Sequence, residues 1–434
     1  MKTVGKLVLS VMAVTFLSAC TEDKLDLPGE RISVLSHDTS LRIDNPKKVK
    51  TVLPSASALP SWNMSGGNAS HNLQNINFTA DPTNLQQVWS LDIGSGASDG
   101  SALAEPVVSG NVIYTIDAKG EVKAFALNSA QMLWSSDIAD IVNKKGSGEG
   151  LAFYDDKLFA TLSSGMVVCL SALDGSVIWK KDLGKGVRSA PTVFEKKVFV
   201  ITMDNNVFAL STNDGRLAWT YETPAEDTIL LGTAAPAAKD NLVIAAFSGG
   251  DLFAFKAANG VPVWSDTLFS LGRNSFVSGL SAIKAPVVID KNMVFAVSGE
   301  GELAALNFKN GERYWQQSVG SMNQPWVAGD YLFAVSSLSE VICLDKNKGN
   351  ILWITPLQNW ENEEKKRDKI VWNGPVLAGG NLYFTSSLGD LTVIDKNGKI
   401  ISSNNVGGGF FTSPIVVDDT LLLLDKSGIL RAYK

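Results

Sequence analysis

The chain repeats itself. From Ala190 it reads APTVFEKKVFVITMDNNVFALSTNDGRLAWTYE, from Ala235 APAAKDNLVIAAFSGGDLFAFKAANGVPVWSDT, and from Ala285 APVVIDKNMVFAVSGEGELAALNFKNGERYWQQS. Each unit holds four short apolar stretches separated by Gly, Asp, Asn and Lys. Within the stretches apolar and polar residues alternate, so each stretch is a strand with one buried face. Four antiparallel strands recurring every roughly 40 to 50 residues form the blade of a propeller, because one such sheet cannot bury its faces without neighbours.

The blades can be counted. First strands are marked by Pro106, Pro191, Pro236, Pro286, Pro325, Pro375 and Pro414, and a further unit near Gly150 lacks the proline. The last unit, SPIVVDDTLLLLDKSGILRAYK, supplies three strands and no tryptophan-bearing fourth. Conversely, NLQQVWSLDI at residues 84–93 is a fourth strand with no unit before it. The two fragments complete each other. The fold expected is all-β: an eight-bladed propeller of four-stranded antiparallel blades, closed by an N-terminal strand that completes the C-terminal blade. Closure removes the unpaired edges and bare faces of an open ring.

Trp89, Trp134, Trp179, Trp219, Trp264, Trp315 and Trp353 occupy equivalent fourth-strand positions. From Trp179 onward a glycine lies four residues earlier, at Gly175, Gly215, Gly260, Gly311 and Gly349. The rings are expected to pack between blades, each N–H finding a backbone partner. Blade seven departs, with Gly398 followed by Ser402; it should be looser, or have this contact filled from elsewhere. Cys169 and Cys343 fall in third strands of blades two and six, on opposite sides of the ring, too far apart for a disulfide.

The N-terminus is a processing segment. Lys2 and Lys6 precede an apolar run from Leu7 to Leu17, and Leu17-Ser18-Ala19-Cys20 resembles a bacterial lipobox. Residues 1–19 read as a signal peptide, Cys20 as the acylated (palmitate-bearing) first residue, and residues 20–60 as a lipidated flexible tether ahead of a propeller spanning 61–434. No second apolar run reaches 18 residues, so the remainder reads as a soluble body. Thr21, where an inner-membrane retention aspartate commonly stands, leans toward the outer membrane.

Signs of catalysis are scarce. His37 and His71 lack partners at zinc-ligand spacing, and no nucleophile-elbow, phosphate-loop or zinc-protease motif occurs. No catalytic residue, cofactor, metal or small-molecule substrate is expected, and the net charge of −6 argues against nucleic acid. Three long connectors stand out, at residues 223–235, 266–285 and 355–374. They carry Ile229, Leu230 and Leu231, then Phe269, Leu271 and Phe276, then Trp360 and Trp372. All three emerge from one face, where long loops on a rigid scaffold bind partners.

The repeat G-x-V-x-A-L…G-x-x-x-W is similar to that of the pyrroloquinoline-quinone (PQQ) propeller superfamily. With the lipobox, the tether, the count of eight and WNMSGGNASHN near Trp62, the chain resembles the BamB family of outer-membrane lipoproteins. That resemblance implies a non-enzymatic scaffold of the β-barrel assembly (BAM) machinery on the periplasmic face of the outer membrane. It would bind the periplasmic domains of BamA, alongside other machinery subunits, and assist outer-membrane protein assembly. The family's contact pattern, Leu-x-Leu-Arg-Gly before Ala-Pro, falls on Thr228, Ile229, Leu230, Leu231 and Gly232, of which Leu230 and Gly232 match. An acidic pair in the next connector is replaced by Ser281 and Ile283. The alternatives are another periplasmic propeller scaffold of the cell envelope and a PQQ-dependent dehydrogenase. The latter usually carries vicinal cysteines, and this sequence has no such pair.

Overall fold

The computed structural model describes residues 41–44, 50–97, 103–143, 146–223, 234–268, 283–299 and 301–434. Eight antiparallel sheets succeed one another along the chain as blades one to eight, seven of four strands and one of five. Blade one opens with Val107–Ser109 and blade seven with Trp372–Ala378. Blade eight takes its first three strands, Ile415–Val417, Thr420–Leu424 and Ile429–Tyr433, from the end of the sequence. Its fourth is Gln87–Asp92, which pairs with Ile429–Tyr433 and sets Trp89 opposite Ala432. The ring closes as the two sequence fragments require.

Indole rings hold neighbouring blades together. Trp134 donates its Nε1–H to Ala172 O in the next blade at 3.1 Å, and Trp179, Trp219 and Trp264 donate to Thr212 O, Ala257 O and Phe308 O. Trp315 and Trp353 do the same to Lys346 O and Lys396 O. Each ring lies on the turn glycine of the following blade. A Cβ on Gly260, whose φ is +72°, would stand 2.5 Å from the Trp219 ring. The glycine therefore serves a left-handed turn and makes room for the indole at once.

Both irregular units lie at the closure. Blade eight has no hairpin between its third and fourth strands, and Leu85 stands four residues before Trp89 where blades two to seven have glycine. No glycine seat is present there for an indole from blade seven. Ser402 instead donates its Oγ–H to Pro82 O at 2.8 Å, so the incoming segment makes that contact. On the other flank, Ala130 takes the turn position with φ +57°.

Every fourth strand carries an irregularity at the residue before the tryptophan position, as at Leu133, Ile178 and Val263. The same break recurs in the other five blades, including blade seven. A bulge bends the strand and blunts an edge that would otherwise recruit foreign strands.

The described part of the segment read as tether lies against the ring. Leu41 packs on the core of blades five and six, and Asp44 Oδ2 accepts from Ile351 N at 2.7 Å. Thr51 is fully buried, and Asn75 Nδ2 donates to Pro54 O. Residues 41–44 and 50–60 thus lie on the ring, because their apolar and backbone groups find partners there.

The segment that follows seals the channel. Leu59 accepts from Asp418 N in blade eight, and Ser61–Trp62 adds a fifth strand to blade one. Asn63 accepts from Phe153 N in blade two, and Ala69 from Ala238 N in blade four. Ser70 accepts from Ile289 N in blade five, Gln74 from Trp326 Nε1 in blade six, and Ile76 bridges blade seven. Residues 59–79 visit the inner strands near their first turns and form a plug across one mouth of the ring. Asp290 latches it, accepting from Asn72 Nδ2 at 2.9 Å while ion-paired to buried Lys346 at 2.7 Å.

Candidate functional site at the connector face

The opposite mouth is ringed by the links from each fourth strand to the next first strand. Three of these were singled out as partner loops. The third folds back. Trp372 is buried and donates to Gln358 O at 2.8 Å, while a hairpin of Trp360–Asn362 and Arg367–Lys369 carries the charged run outward.

The other two reach the described residues only at their roots. Thr228, Ile229, Leu230, Leu231, Gly232, Phe269, Leu271, Phe276 and Ser281 lie outside the described residues, as does Cys20. Ile283 is described, and its side chain is 1% exposed in the core shared by blades four and five. It is part of that core and not a surface contact, because the packed apolar side chains of the two blades cover it. The contact proposal therefore falls on residues 228–232 and 281.

At the root of the first loop stands an aromatic group that the sequence reading missed. Tyr221 packs on Phe255 at 4.7 Å between centroids and on Phe253 at 5.6 Å, and Phe253 touches Phe247 at 5.5 Å. Tyr221 and Phe253 are partly exposed. The available signal was Phe253 and Phe255 at alternate positions of one strand, which places both rings on the same face.

On this face the channel opens as a well of about 240 Å³, lined from all eight blades and floored by Ser65 of the plug. Among the described residues its charged groups are Glu105, Glu149 and Arg188. Glu105 accepts from Ser65 Oγ at 3.2 Å and Gly66 N at 3.3 Å. Glu149 accepts from Ser147 Oγ at 2.5 Å and lies 3.5 Å from Arg188. Burial pushes both carboxyls above the ordinary glutamate value. Leu151 stands where the other first strands have proline, and Gly150 beside it sits where a Cβ would fall on Ala190 of the next blade. No group of three or more potential metal ligands occurs among the described residues.

Comparison with known proteins agrees with this architecture. Over 358 residues the chain is 26% identical to the outer membrane protein assembly factor BamB of Yersinia pestis, covering 80% of this chain and 88% of that one. Against BamB of Shewanella oneidensis the identity is 27% over 351 residues, covering 78% and 86%. The crystal structure of BamB from Moraxella catarrhalis superposes with a TM-score of 0.69 at 20% identity, covering 81% of this chain and all of that one. A quinohemoprotein alcohol dehydrogenase from Comamonas testosteroni gives 0.66 at 13%, covering 87% and 81%, a likeness of fold alone. The model of the family described as outer membrane protein assembly factor BamB matches residues 118–355, more than half of the chain, and this chain belongs to that family.

Proposed function

We propose that the chain is a non-enzymatic lipoprotein scaffold of the outer-membrane β-barrel assembly machinery. It is held to the periplasmic face of the outer membrane through acylated Cys20 and binds the periplasmic domains of BamA. The observation that carries this reading is family membership over most of the ring, joined to the aromatic group of Tyr221, Phe253 and Phe255 where the chain leads into residues 224–233. Anchoring by acyl chains makes the encounter effectively intramolecular, which raises the partner's local concentration without any new contact.

Docking on this reading is mainly apolar, through Ile229, Leu230 and Leu231. Leu230→Asp and Leu231→Asp should each weaken capture of BamA periplasmic domains by tenfold or more, about 1.4 kcal/mol or above. The denaturation midpoint should stay unchanged. Undiminished capture by both variants overturns the proposed surface.

A further inference from the structure

We infer that the central well on the connector face is a binding site for an organic cation, a primary ammonium carried on a narrow alkyl chain. The two carboxylates of the well face one guanidinium, and that guanidinium lies against Glu149. Among the described residues Glu105 has only the hydroxyl of Ser65 and the amide of Gly66 as donors. A carboxylate removed from water without a cation is costly, and a charge-assisted hydrogen bond is what offsets the cost.

The rest of the wall has the same bias. Asn323 Nδ2 donates to Trp372 O at 2.8 Å, Asn373 Nδ2 to Phe410 O at 3.0 Å, and Gln324 Nε2 to His71 O at 3.0 Å. Each amide ties one N–H to a backbone carbonyl, and among the described residues none of the three side-chain oxygens accepts a hydrogen bond, so each is an available acceptor. A separate observation marks room for a guest. Ser189 lines the well, is 4% exposed, and its Oγ has no partner among the described residues. Arg188 Nε also lacks a partner in the well among the described residues, yet two acids stand against that one guanidinium, and a net negative charge between low-dielectric walls concentrates a cation. The plug closes the far mouth, so the guest enters from the connector side.

The test is calorimetric titration of the full chain with 1,4-diaminobutane and with N-acetyl-lysine methylamide, using butyrate and 1-butanol as controls. Saturable binding of the diamine alone identifies a free amine as the guest; binding of both identifies an ammonium that a polypeptide side chain can also present. In either case Glu105→Gln should weaken binding at least tenfold, and Met322→Trp, which narrows the mouth without touching the acids, should do the same. Binding should be weaker at pH 5 than at pH 7.5, where Glu105 holds its charge more fully. The inference is overturned if neither amine binds and the well holds water alone, or if butyrate binds as tightly. Unchanged binding in Met322→Trp also overturns it, as does unchanged binding in a folded Glu105→Gln. Leu230→Asp should bind the diamine normally, which separates this site from the partner surface.

Discussion

At the scale of single residues, the ring depends on an indole and a glycine that lie in different blades. Trp219 is 7% exposed, with its ring over Gly260 and its N–H on Ala257 O. Trp219→Ala should cost about 3–5 kcal/mol, the usual range for emptying an aromatic seat in a core. Gly260→Ala adds one carbon yet should cost about 2–3 kcal/mol, because left-handed strain and overpacking against the indole add. Urea denaturation of both variants checks the comparison; a cost under about 0.5 kcal/mol for Gly260→Ala would show that the ring can move aside. The spacing G-x-x-x-W was legible in the sequence. That each glycine serves the tryptophan of the preceding blade was not, because the two residues are some 40 positions apart and meet only in the assembled ring.

At the scale of elements, the plug is the part least legible beforehand. Residues 59–79 show little periodicity, since they lie across strand ends and satisfy backbone groups one blade at a time. Inside the plug, His71 is buried and its Nδ1 donates to Val287 O at 2.8 Å, leaving Nε2 unpartnered. Burial lowers its pKa from 6.5 to about 4, the bond to Val287 opposing the shift in part. The unfolded chain therefore binds the proton first. The stabilisation is complete above pH 6.5 and is lost as pH falls through about 4, amounting to roughly 3 kcal/mol. Wild type and His71→Asn should differ in pH dependence between pH 6.5 and 4, with the wild type losing more stability in acid. Parallel curves across that window would place His71 in contact with water. Asparagine suits the test because it tolerates the φ of +55° at this position.

At the scale of the molecule, the outcome rests on closure. Asp92 and Ile429 are direct cross-strand partners, although they are far apart in sequence. Directly opposed residues have Cα atoms about 4.5–5.5 Å apart, within disulfide reach. Asp92→Cys with Ile429→Cys should oxidise spontaneously and stabilise the ring by about 6 kcal/mol on the chain-entropy model. Failure to cross-link in the folded protein would contradict the closed ring.

The sequence alone determined the eightfold ring, because strand periodicity, turn glycines and the split blade are local patterns that admit one cyclic arrangement. It also located the seam, since Ser402 breaks the tryptophan pattern where the hairpin is missing. Tertiary structure decided what lies in the middle. The plug, the seating of residues 41–44 and 50–60 on the ring and the acid-lined well come from residues far apart in sequence. The channel wall takes one to three residues from each blade, and no window of the sequence contains them together.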